Sequence, residues 1–205
     1  MPRISLTDLD HHALTVTDER PDRNLYEFDL TLWALLGGLV VNSPEQAKRQ
    51  FDLTDEQIEA IAGAKQSQLQ HLASGVVISF RLQTSEATIL DILERDYSSV
   101  LSLVMRPDNE FDSAYWLLMK SLANNRDHVI AAAAFGVSKK LALRVSAATD
   151  NQLRNLANST VTAFTLRFAP SLIPDLISAK LCPERTRSFF QKYQQSLSAN
   201  ESMRQ

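Results

Sequence analysis

The sequence predicts a mainly helical protein made of two copies of one small helical unit, each with one short β-strand, assembled as a pseudo-dimer. Three observations carry that expectation. Sliding the chain against itself by 84 positions aligns Trp33 to Leu93 with Leu117 to Ile177, with identities at Ala47/Ala131, Phe51/Phe135, Gln68/Gln152, Leu69/Leu153, Leu72/Leu156, Ala73/Ala157, Val77/Val161, Phe80/Phe164, Leu82/Leu166, Ile89/Ile173 and Asp91/Asp175. Composition alone gives roughly a third as many matches. Conservative pairs such as Leu53/Val137, Thr54/Ser138, Ile61/Val145 and Leu93/Ile177 fall between the identities, so the apolar pattern repeats with the letters. Finally, 44% hydrophobic residues over 205 positions supply a core for one domain or two small ones.

The elements follow in chain order. A polar arm covers residues 1–24, repeat 1 covers 25–96, a Pro107-centred linker 97–110, repeat 2 111–180, and a tail 181–205. Leu30 to Val41 is the leading apolar helix of repeat 1. Ser43 followed by Pro44 reads as an N-cap with proline at the first helical position, opening a helix through Gln50. Phe51-Asp52-Leu53 is a tight turn. Thr54 with Gln57 has the capping-box spacing, and Ile58 and Ile61 lie one turn apart until Gly63 ends that helix. A brief helix carries Leu69 and Leu72. Val76, Ile78, Phe80 and Leu82 then alternate with Val77, Ser79, Arg81 and Gln83, the pattern of a half-buried strand over Val76 to Leu82. Thr160 to Arg167 alternates in the same phase in repeat 2, and the two strands are candidates to pair. In the tail a helix is expected from Pro183, with Phe189, Phe190, Tyr193 and Leu197 on one face that docks on the protein's own core.

Charge separates the halves. Residues 1–100 carry 8 basic against 16 acidic side chains, a net −8, and residues 101–205 carry 13 against 8, a net +5. A basic half can meet phosphate and an acidic half cannot. The candidate contact lies in repeat 2, where Asp127 to Phe135 reads as a small-residue helix, Gly136 breaks it, and Ser138 caps a second helix through Ala147. That is the rhythm of a helix-turn-helix. Alanines 131 to 134 permit a close crossing, and Val137, Leu141 and Val145 pack the second helix on the first. Its outer face offers Ser138, Lys139, Lys140 and Arg144 to a major groove, with Arg126 and Arg154 as flanking phosphate contacts. In repeat 1 the matching helix carries Asp55, Glu56 and Glu59, which repel phosphate, so that copy is expected to face protein.

Other chemistries find little footing. Cys182 is the sole cysteine, which excludes an internal disulfide or a multi-thiolate metal site. Asp10, His11 and His12 adjoin in a polar arm without a third ligand nearby, and His71 and His128 lie in helices beside no evident acid or nucleophile. Walker loops, dinucleotide fingerprints and nucleophile elbows are missing. No catalytic residue, metal ligand or cofactor is expected in this chain. Leu30 to Val41 falls short of the roughly 18 to 20 residues of a membrane helix, and Met1 to Asp10 has no apolar segment of the signal-peptide kind. A cytoplasmic protein without a membrane role is the expectation.

Ala47-Lys-Arg-Gln-Phe-Asp-Leu-Thr-Asp-Glu-Gln-Ile, Gln68-Leu-Gln-His-Leu-Ala and Val77-Ile-Ser-Phe-Arg-Leu together resemble the FlhD subunit of the bacterial flagellar master transcription activator, and Leu30 to Val41 is similar to that family's leading helix. The likeness covers about sixty residues per copy and is clearer in repeat 1. It implies a small helical protein that dimerises and works with a zinc-binding FlhC-like partner on promoter DNA, as related pairs do in the transfer of conjugative elements. Two units in one chain depart from the family. On this reading the protein is a non-enzymatic transcription activator subunit, repeat 2 meeting DNA and repeat 1 meeting protein, with self-association as a further option. A scaffold of a bacterial protein complex without nucleic acid is the alternative.

Overall fold

Asp22 starts the first helix: its carboxylate accepts from the amides of Asn24 at 2.9 Å and Leu25 at 3.1 Å, satisfying donors the helix cannot. The computed structural model describes residues 21–70, 72–95, 110–160, 164–167 and 170–178. The arm to residue 20 with His11 and His12, His71, linker residues 96–109, and the tail with Cys182 and its expected helix lie outside the described residues. In chain order the elements are α1 (Arg23–Asn42), α2 (Pro44–Phe51), α3 (Asp55–Ala62), α4 (Gln66–Gln70), β1 (Phe80–Leu82), α5 (Glu86–Glu94), α6 (Glu110–Asn125), α7 (His128–Phe135), α8 (Lys139–Ala147), α9 (Asp150–Ser159), β2 (Phe164–Leu166), a 3-10 turn (Pro170–Leu172) and α10 (Ile173–Ile177). The protein is mainly helical, with one two-stranded antiparallel sheet.

These elements form two compact units. The first takes residues up to 79 together with those from 168 onward, and the second takes 80–167. In the first, α1 packs on α2, α3 and α4, and α10 arrives from the far end of the chain to pack on α3. The second packs α7, α8 and α9 around α6, and α5 lies against α8 and α9. Each unit is therefore closed by a helix that the sequence expectation assigned to the other repeat.

A buried polar cluster anchors the first unit. Asp29 is fully buried; its carboxylate accepts from the Ser79 amide at 2.6 Å and the Ser79 hydroxyl at 2.7 Å, while the Trp33 indole N–H donates to the same hydroxyl at 3.0 Å. Leu25, Leu32, Leu36 and Val40 complete the buried stripe of α1. By length and composition alone this 20-residue helix is long and apolar enough to cross a membrane; its buried stripe packs within the unit. The second unit is built on aromatics. Tyr115 meets Trp116, Phe135 and Phe164 edge-on, at ring-centroid distances of 5.0, 5.1 and 5.6 Å. Burial pushes the Tyr115 phenol above its ordinary range.

Two sequence expectations need correction. The strand expected from Val76 begins only at Phe80, because Val77, Ile78 and Ser79 are all buried and leave no solvent face to alternate with. Their backbone is held by side chains: Ser74 Oγ accepts from Val76 and Val77, and Asp29 accepts from Ser79. The gapless match at 84 also stops at the leading helices. From α2 onward the spacing holds, Pro44–Phe51 against His128–Phe135 and Phe80–Leu82 against Phe164–Leu166. One residue, Ser43, separates α1 from α2, whereas two, Arg126 and Asp127, separate α6 from α7. The leading helices end 83 positions apart, at Asn42 and Asn125, a spacing that sets buried Trp33 against buried Trp116 and Glu27-Phe28-Asp29 against Glu110-Phe111-Asp112.

Ser43 also differs from expectation, since its hydroxyl makes no cap bond; its amide instead closes α1 on the Leu39 carbonyl. β1 and β2 pair with Phe80 opposite Leu166, Arg81 opposite Thr165 and Leu82 opposite Phe164. Arg81 and Thr165, at the centre of the ribbon, are 84 positions apart.

Candidate nucleic-acid interface

Local rules build the α7–turn–α8 hairpin. Asp127 caps α7, accepting from the Val129 amide at 3.3 Å. Gly136 ends it at φ 68, a left-handed conformation that a side chain disfavours. Glycine is required there twice over, because an added Cβ would stand 2.6 Å from the Arg167 Nε. Arg167 occupies that space with purpose, donating to the carbonyls of Ala134 at 2.8 Å and Ala133 at 3.1 Å at the negative end of α7. After Val137, Ser138 caps α8 by accepting from the Leu141 amide at 3.2 Å. Ala131, Ala132 and Ala134 of α7 and Leu141, Ala142 and Val145 of α8 are all buried in the second unit, where the two helices pack together.

The six residues expected to contact DNA separate into three groups. Lys139 and Lys140 stand exposed on the first turn of α8, and no hydrogen bond or ion pair holds them among the described residues. Ser138 and Arg144 are committed within the protein. The Ser138 hydroxyl is the cap, and its amide donates to the Glu86 carboxylate at 2.8 Å. Arg144 is half-buried and turns its Nη2 to the Leu93 carbonyl at 2.7 Å, securing the C-terminus of α5 against α8. Arg126 is exposed in the turn between α6 and α7, and Arg154 is exposed on α9 beside Asp150.

Around the two lysines the surface is mixed. Leu143 follows Lys139 by one turn and is 43% exposed, and Val129 on α7 is 50% exposed. Glu86 brings negative charge to the N-terminus of α8, where an approaching phosphate would otherwise find free amides. The corresponding face of α3 carries exposed Asp55, Glu56 and Glu59, with Asp55 paired to Lys48 at 2.6 Å. This pairing raises the Lys48 pKa.

His128, which the sequence left beside no acid or nucleophile, has both as neighbours: Ser146 Oγ lies 3.1 Å from its Nε2 and Asp127 Oδ1 3.7 Å from its Nδ1. The set ties helices rather than activating a nucleophile. Ser146 gives its proton to the Leu143 carbonyl at 2.8 Å, so the imidazole must donate to it, and 3.7 Å exceeds hydrogen-bond reach. Among the described residues no three His, Cys, Asp or Glu side chains gather as a metal site.

Glu86 and Arg167 shape this surface and went unnoticed in the sequence. Glu86 reaches Ser138 across 52 positions and Arg167 reaches Ala134 across 33, contacts that local periodicity does not encode. Comparison of the chain with protein-family models, with curated proteins and with solved structures found no match in any of the three.

Proposed function

We propose that the protein is a transcription-type regulator subunit, a covalent pseudo-dimer of two FlhD-like units that works in a complex with an FlhC-like partner protein, as the FlhD resemblance implies. Its α7–turn–α8 hairpin meets promoter DNA through Lys139 and Lys140, flanked by Arg126 and Arg154. Ser138 and Arg144 serve by fixing α8 rather than by touching phosphate. The acidic face of α3 meets protein. One observation carries the reading: a helix-turn-helix closed by a left-handed glycine presents two uncommitted lysines on the exposed first turn of its second helix. The ribbon register, with residues 84 positions apart at its centre, and the repeated element order support the pseudo-dimer.

The second reading, a scaffold without nucleic acid, is favoured by the exposed Leu143 and Val129 and by the Glu86 carboxylate on the N-terminus of α8. Fluorescence anisotropy of the chain, with its co-purified partner, on its own upstream DNA at two salt concentrations separates them. The double variant Lys139→Glu, Lys140→Glu abolishes binding under the regulator reading, and Lys139→Gln, Lys140→Gln lowers the slope of log affinity against log salt by about 2. Binding unchanged by either pair, or no DNA binding at all beside a stable protein complex, leaves the scaffold.

A further inference from the structure

Beside the turn of the hairpin lies a cavity of about 420 Å³, framed by Arg81, Leu82, Glu86, Ile89, Val137, Leu141 and Thr165. That volume falls in the range of small-ligand sites, which are apolar with a few placed polar groups. Leu82 and Val137, both half-buried, offer hydrocarbon to the cavity in front of buried Ile89 and Leu141, and Gln83 and Thr84 add polar groups at its wall. The wall also carries two charges in different situations. The Glu86 carboxylate is answered, because it accepts from the Ser138 amide at 2.8 Å at the positive end of α8. The Arg81 guanidinium is not. Its Nε donates to Thr165 Oγ1 at 3.2 Å, which fixes the plane of the group, yet among the described residues no carboxylate comes within ion-pair distance.

We propose that this cavity binds a small amphipathic carboxylate, its anionic head on the Nη atoms of Arg81 and its hydrocarbon body against Leu82 and Val137. A planar guanidinium held at one nitrogen matches a carboxylate in the two-pronged manner that a lysine cannot. Nothing in this assignment depends on whether α8 meets DNA. Where it does, occupancy is positioned to be felt, because Glu86 and Leu141 also hold the first turn of α8.

Isothermal titration calorimetry of the full chain, without DNA, tests the site with octanoate and 4-phenylbutanoate as probes and octanamide as the uncharged control. The carboxylates bind saturably, and octanamide binds at least about tenfold more weakly, the size of loss expected when one charge-assisted bond goes. Arg81→Gln weakens the carboxylates by a similar factor, with its fold checked by circular dichroism, while Arg154→Gln, outside the cavity, leaves them unchanged. Absence of saturable heat, equal binding of amide and carboxylate, or full affinity in Arg81→Gln overturns the assignment. Should Arg81→Gln fail to fold, the comparison of octanoate with octanamide on the unaltered chain still decides it.

Discussion

The leading helices α1 and α6 share a spacing and solve it differently. Each places an aspartate four positions before a buried tryptophan, Asp29 with Trp33 and Asp112 with Trp116. In the first unit Ser79 joins the pair, its hydroxyl bonded to both and its amide to the carboxylate. The residue 84 positions on from Ser79 is Ala163, outside the described residues and without a hydroxyl by its nature. Trp116 Nε1 is buried without an acceptor among the described residues, and aromatic packing around Tyr115 occupies the corresponding core. The buried indole of α1 is thus hydrogen-bonded and that of α6 is held by packing. A buried polar network fixes geometry only while every member is satisfied.

The comparison breaks most sharply at Asp29. Asp29→Ala strands the Ser79 amide and hydroxyl in an apolar interior and lowers stability by about 3 kcal/mol, read by denaturant melts; hydrogen exchange should place the loosening at 72–80. A loss below roughly 1 kcal/mol would mean that the network contributes little. A finer cut compares two matched variants. Trp33→Phe discards an indole N–H that has a partner and Trp116→Phe one that has none, so the first should cost about 1 kcal/mol more than the second. Equal costs in the same melts would show that packing alone governs both tryptophans.

The smallest effect is electrostatic. Lys120 holds the Asp150 carboxylate below its ordinary range by a 2.8 Å hydrogen bond between α6 and α9. A depressed folded-state pKa adds stability above the unfolded carboxylate value of roughly 3.9, and that increment disappears as pH falls through the folded value. Lys120→Met should lower the melting temperature slightly near neutral pH, by little because the Asp150 carboxylate is solvent-exposed, and the two proteins should converge in acid, where the increment is gone. Acid titrations of the two proteins that superimpose would count against it.

Much of the local structure was legible in the sequence because local chemistry causes it. The Thr54–Gln57 box, the Asp52 turn at φ 54, and the Gly136 break with its Ser138 cap stand where their residues put them. Thr149 with Gln152 forms a second capping box of the same type at α9. The misreadings share one origin, distance along the chain. Val76 to Ser79 alternates like a strand, yet Val77, Ile78 and Ser79 are all buried, and the Ser79 amide is held by Asp29 fifty positions earlier. Helical phase places Arg144 on the outer face of α8 but does not encode its bond to the Leu93 carbonyl, 51 positions earlier. The 83-residue spacing of the leading helices was legible in Glu27-Phe28-Asp29 and Glu110-Phe111-Asp112, and a gapless comparison passed over it.

Because α5 closes the second unit and α10 the first, neither half of the chain carries a complete set of its own packing partners. A substitution on α5 is judged by the fit of α8 and α9, encoded some fifty positions later, and one on α10 by α3, encoded more than a hundred earlier. Substitutions in one half of the chain are thus screened by packing partners that the other half encodes.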